Sequence, residues 1–174
     1  AEMKRAGTIG NAHAVFVGLR MSDLLPQAKE LGVAEHITLI EELGHDSNDR
    51  EYRIPSAPLV EIYKSVDACA FPSLIETFAM INIEAMAAGI PVISTDAPGC
   101  IETINDGIDG LIAKAGDPID LARKMEQLQS SVDLQTKLSA NGTESVRKSF
   151  SWDVVGRQFE DLYLSLTETK NLND

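Results

Sequence analysis

Residues Phe71–Thr95 read FPSLIETFAMINIEAMAAGIPVIST. The apolar run Ala68–Phe71 leads into a short loop, Pro72–Thr77. An apolar helical stretch, Phe78–Ala88, then stops at Gly89, and a second apolar run, Pro91–Ser94, follows at once. Strand, loop, helix and strand in that order make a βαβ unit, with parallel strands and a right-handed crossover. Ligands of open parallel sheets bind beyond the carboxyl ends of the strands, so the loop 72–77 is the predicted site. The helix beginning near Phe78 points its amino end at that site. Its first N–H groups, on Ala79, Met80 and Ile81, lack partners within the helix and suit a phosphate.

Glu76 and Glu84 flank this helix start, eight residues apart. With Glu76 in the loop, both carboxylates can face one crevice beside the helix end. A carboxylate accepting two hydroxyls is a natural clamp for a ribose, and a second one near the phosphate suits sugar hydroxyls or a developing positive charge. Spacing alone leaves plainer roles open. Glu84 can be a solvated helix residue, and Glu76 can simply cap the helix dipole.

The same alternation extends outward. Ala14–Val17, Ile37–Ile40 and Gly110–Ala113 are continuous apolar runs, as expected of strands covered on both faces. Between them, Ser22 is predicted to cap a helix through Leu31 that Gly32 stops, and Pro58–Lys64 reads as another helix. After Ala113 the chain is helical: Asp117–Leu128 with Pro118 at its first turn, then Leu134–Phe150 and Ser151–Leu166. In the last helix Trp152, Val155, Phe159, Leu162, Tyr163 and Leu166 form one apolar face, expected to pack on the sheet. Gly44–Pro55 is a polar, aperiodic loop longer than the usual ~4–6 residues. Asn105–Gly110 reads as a turn, too short for a calcium loop. The fold expected is α/β, a Rossmann-like doubly wound parallel sheet of about five strands with C-terminal helices, in one domain spanning residues 1–174. The opening Ala1–Arg5 reads as the end of a helix, so a preceding strand is expected to be missing from the domain.

Composition narrows the function. At 44% hydrophobic and 24% charged residues, the chain is neither disordered nor fibrous. No apolar run approaches the ~20 residues of a membrane span. Fifteen Lys and Arg against 27 Asp and Glu give a net charge of −12, which argues against nucleic-acid binding and a basic membrane-docking face. Cys69 and Cys100 read as free thiols in a reducing compartment. His13, His36 and His45 are scattered without metal-ligand spacing, and Ser73 has no His or Asp partner that would make it a nucleophile.

Glu76-x7-Glu84 resembles the E-x7-E signature of the retaining glycosyltransferases of family four, which have the GT-B fold. The likeness continues in order along the chain. Ile62–Ser73 resembles that family's Y-x-x-A-D-x-x-x-x-P-S segment, Pro98–Ala113 its G-G-x-x-E-x-x-x-D-G-x-x-G segment, and Phe150-Ser151-Trp152 its closing helix. The resemblance implies the C-terminal, donor-binding half of a two-domain enzyme. Glu76 would contact the donor sugar at the reacting carbon as the catalytic residue. Glu84 would hold the ribose, with Phe78, Ala79, Met80 and Ile81 completing the donor site and their N–H groups on the diphosphate. The base would lie near Glu41–Gly44. The implied reaction is a metal-independent, retaining hexosyl transfer from a nucleotide sugar, UDP- or GDP-linked, without a cofactor and in the cytoplasm or at the membrane periphery. Cell-envelope glycan synthesis is the setting the family suggests. The acceptor would bind the absent N-terminal half. The family's basic G-R-x-x-x-x-K-G strand does not precede Ala1, so weak donor binding, no turnover by this chain alone, and self-association through an exposed sheet edge are expected. Ala79 stands where the family has Gly, and Pro98-Gly99 replaces Gly-Gly. A nucleotide-sugar epimerase of similar fold and a non-catalytic nucleotide-binding domain are the alternatives.

Overall fold

The computed structural model describes residues 1–41, 43 and 55–170. Helix α1 (Glu2–Ala6) precedes strand β1 (Ala14–Val17). A 3-10 turn (Met21–Leu24), helix α2 (Leu25–Glu30) and a second 3-10 turn (Ala34–His36) lead to β2 (Ile37–Ile40). Then come α3 (Ala57–Ser65), β3 (Cys69–Ala70), α4 (Met80–Ala87), β4 (Val92–Thr95) and β5 (Leu111–Ala113). Three helices close the chain: α5 (Pro118–Gln129), α6 (Val132–Ser149) and α7 (Trp152–Lys170). The expected α/β alternation is present, and the strand registers are parallel throughout.

β4 shows why its sequence is apolar without alternation. All four of its residues are buried. Val92 faces a cluster with Tyr63, Ala85, Met86 and Ile104, while Ile93 faces one with Leu111, Leu128 and Leu138. Helices α3 and α4 thus cover one face and α5 and α6 the other. Each fully buried Met, Ile or Leu here contributes roughly 1.5–3 kcal/mol.

Three expectations need correction. Among the described residues the five strands form two sheets rather than one: β1 pairs with β2, and β3–β4–β5 form the other. β3 pairs over only two residues, and among the described residues no strand bridges β1 to β3. Secondly, Ser22 does not cap a helix. It lies in the 3-10 turn, where its N–H and hydroxyl donate to Glu41, and α2 begins three residues later with Pro26 in its first turn. A carboxylate acceptor across the loop has outcompeted the local cap. Thirdly, the apolar face of α7 is not covered by the described residues: Trp152 is 86% exposed and Phe159 55%. Helical periodicity specifies a face to bury but not the element that buries it.

Other local readings hold. Asp117 caps α5, accepting from the N–H groups of Ile119 and Asp120 at 3.0 Å each. The 105–110 segment is a turn whose buried Asp109 is satisfied within the chain by Asn105 and Ser145. His13 bonds Thr38 and His36 bonds the Ala12 carbonyl, both as structural links. Residues 44–54 of the predicted polar loop, with His45, lie outside the described residues. Among the described residues, no helix is long and apolar enough to cross a membrane.

Candidate functional site

The loop after β3 is held from behind by β4 and the turn that follows it. The Thr95 hydroxyl donates to the Ser73 carbonyl at 2.6 Å, and the Glu76 N–H donates to the Pro98 carbonyl at 3.1 Å. Gly99 packs directly against the backbone of Glu76 and Thr77, so closely that a β-carbon there would overlap it. Glu76 is thereby fixed through its main chain. Its side chain is half-buried and accepts a hydrogen bond from the Ser73 hydroxyl at 3.2 Å.

Helix α4 begins at Met80, two residues later than predicted, with Ala79 as its N-cap in the left-handed region (φ 43°). That conformation costs a non-glycine residue about 1–2 kcal/mol. The tightly packed cluster of Ala79, Ala97 and Cys100 maintains it. The positive φ also explains why glycine is the expected residue here. Among the described residues, no hydrogen bond is made by the N–H groups of Ala79, Met80 or Ile81, and no side chain caps the helix. Unpartnered donors at the positive end of a helix dipole are chemically suited to an anion. Phe78 lies outside the helix, its ring edge-on to Phe150 at 6.0 Å between centroids. Cys100 is buried behind Ala79.

Two polar links tie α4 to neighbouring elements, one of them fully buried, and neither was legible beforehand. Asn82, fully buried in the first turn, donates to Ser94 at 3.1 Å and Thr103 at 3.0 Å, tying α4 to β4 and to the following turn; its Oδ1 has no partner among the described residues. Glu84, about 6 Å further along the helix than Met80, accepts a hydrogen bond from the Tyr63 hydroxyl at 3.2 Å. Burial, then the Glu84 charge, pushes the Tyr63 phenol well above its ordinary value. Tyr63 falls within the segment quoted for the resemblance, but nothing in that segment indicates its partner. After β2, Glu41 borders an open cavity of about 530 Å³ lined also by Leu19, Arg20, Ser22 and Asp23. The Ser22 hydrogen bonds hold the Glu41 carboxyl below the usual range. Glu42 and Gly44 of the expected base-binding loop are outside the described residues.

A family model for glycosyl transferases group 1 matches residues 2–145. The chain belongs to this family. Among group 1 glycosyl transferases it is 33% identical over 109 residues to a D-inositol 3-phosphate glycosyltransferase of Corynebacterium kroppenstedtii, covering 63% of this chain and 24% of that one. It is 32% identical over 104 residues to the capsular polysaccharide biosynthesis glycosyltransferase CapM of Staphylococcus aureus, covering 60% and 27%. The chain therefore spans about a quarter of the length of these relatives. The fold is that of HepE of Anabaena, solved in complex with UDP (TM-score 0.74, 20% identity, 88% of this chain and 41% of that one). It is also that of the C-terminal domain of LpcC, a group 1 glycosyl transferase of Francisella tularensis (TM-score 0.64, 21% identity, 81% and 86%). The Rossmann-like GT-B assignment thus stands, and the separation into two sheets is a feature of this chain's own strand pairing.

Proposed function

We propose that this group 1 glycosyl transferase chain binds the nucleotide-sugar donor of a retaining, metal-independent hexosyl transfer. The observation that carries the reading is the uncapped start of α4, whose unbonded N–H groups lie between Glu76 and Glu84. In a chain of net charge −12, neutral backbone donors can hold a diphosphate that the overall field repels. As the leaving diphosphate gains charge, the same donors stabilise it. Glu84 takes the ribose hydroxyls. Glu76 meets the donor sugar at the reacting carbon, where a carboxylate stabilises developing positive charge. Phe78 shapes the approach to these N–H groups, and no cofactor takes part. The acceptor binds elsewhere in a longer protein, as the relatives' greater length suggests. Cytoplasmic nucleotide sugars are the donors expected. In this reading a further strand pairs with the free edges of β1 and β3, supplied by preceding sequence or by a second copy.

Calorimetric titration with UDP, GDP and ADP tests the proposal, with UDP first because HepE was solved with it. One nucleotide should bind, and Glu84→Ala should weaken it by roughly 10- to 150-fold, the scale of about 1.5–3 kcal/mol for hydrogen bonds to a charged group. Equal binding by wild type and Glu84→Ala would remove the ribose clamp from the reading.

A further inference from the structure

Tyr63 is 3% exposed, on a helix other than the one that carries Glu84, and its ring lies among Ala85, Met86, Val92 and Ile104. Its hydroxyl emerges from that apolar cluster onto one oxygen of Glu84, Oε2. Among the described residues neither lysine nor arginine forms an ion pair with Glu84. The carboxylate is therefore anchored by one neutral donor, which occupies one acceptor site of Oε2 and leaves most of its acceptor capacity free. A cation in the same place would orient Glu84 but compete with sugar hydroxyls for it. A phenol on a buried ring fixes one oxygen, and Oε1 has no hydrogen-bond partner among the described residues.

We propose that Tyr63 is the positioning residue of the ribose clamp, holding Glu84 through Oε2 so that Oε1 meets the vicinal hydroxyls of the donor's ribose. Tyr63 does not itself touch the donor. The inference rests on the donor-site reading above, and it makes the site selective for a ribose diol through a residue that the site's own loop and helix do not contain. A purely structural tyrosine would also seek a partner for its hydroxyl when buried, so the test must separate aiming from packing.

Tyr63→Phe removes the hydroxyl and keeps the ring. Affinities for UDP and for 2′,3′-dideoxy-UDP are measured by calorimetry on wild type, Tyr63→Phe, Glu84→Ala and the double variant. Urea midpoints confirm that each is folded. If the nucleotide bound is GDP or ADP, its own dideoxy form replaces dideoxy-UDP. Tyr63→Phe should weaken UDP roughly 2- to 10-fold, the range for one net hydrogen bond, and leave dideoxy-UDP unchanged. In the Glu84→Ala background it should have no further effect. An unaltered UDP affinity in Tyr63→Phe, or equal losses for UDP and dideoxy-UDP, would overturn the positioning role while leaving the donor site intact. A wild type that binds none of the three nucleotides would overturn the donor reading and this inference with it, and a Glu84→Ala variant that binds as wild type does would remove the ribose clamp and with it this inference.

Discussion

Gly99→Ala is the substitution that most directly probes how Glu76 is held. Gly99 has φ 78°, and a β-carbon built there lies 2.3 Å from the Glu76 carbonyl oxygen, 2.7 Å from its carbon and 2.8 Å from the Thr77 carbonyl carbon. Ordinary contact begins at 3.4 Å, so the two backbones must part by about 1 Å. No side chain can yield instead, because every atom met is main chain. Separation strains the Glu76 N–H to Pro98 carbonyl bond, 3.1 Å as it stands. The left-handed conformation costs alanine about 1–2 kcal/mol. Overpacking adds roughly 1–3, the weakened hydrogen bond about 0.5–1.5, and the stiffer unfolded chain returns about 0.4–1. The net loss is roughly 1.5–6 kcal/mol. Gly107→Ala is the matched control: its φ is 72°, and nothing lies within 4 Å of the added carbon. It should lose only about 1 kcal/mol. Urea unfolding of the two variants at neutral pH measures the difference, and a shared slope would show that the same transition is compared. If the proposed donor site is correct, Gly99→Ala should also weaken nucleotide binding, since the displaced loop carries Glu76 and leads into the start of α4, whereas Gly107→Ala should not. Equal destabilisation of the two variants would refute the contact between the Gly99 turn and the Glu76 loop as the source of the site's rigidity.

Alkaline pH should destabilise the chain. Burial pushes the Cys69 thiol up from 9.0 to about 11, and Tyr63 is raised in the same direction. Each folded-state value lies above the unfolded one, so the stabilisation is complete below pH 9 and is lost as pH rises through 11, up to about 2–3 kcal/mol for Cys69. Urea midpoints at pH 8 and pH 11 should fall accordingly, and Cys69→Ala should flatten the dependence; a Cys69→Ala curve parallel to wild type would exclude the thiol as its source. Asp117→Ala should cost about 1 kcal/mol by uncapping α5, while Asp117→Asn should retain most of the cap. Denaturation midpoints distinguish the two, and equal losses would mean that the carboxylate's charge, not its acceptor geometry, stabilises the helix end.

Much of the architecture was legible where the signal is local. Ala14–Val17 and Ile37–Ile40 are strands to the residue, because short, largely apolar and β-branched runs with distinct boundaries offer one register. Asp117-Pro118 marks the start of α5 because cap and first turn are adjacent in sequence. The same is true of Glu76 and Glu84, whose placement follows from the loop-to-helix order. Legibility failed where the partner is distant. The start of α4 shifted because packing around Ala79 selects a left-handed cap, which alanine by itself disfavours. Ser22 was misread because its preferred acceptor, Glu41, is 19 residues away.

The amino-acid sequence by itself determined the alternation of strands and helices, the loop between β3 and α4, and the placing of Glu76 in that loop and Glu84 on the helix, since each depends on periodicity or spacing over a few residues. Tertiary structure alone decided that the strands form two sheets and that Gly99 buttresses Glu76. It also decided that Asn82 ties α4 to β4, that Tyr63 donates to Glu84, and that the apolar face of α7 is uncovered among the described residues. These outcomes depend on which surfaces meet, and residues 20 or more positions apart carry no local pattern that names their partner.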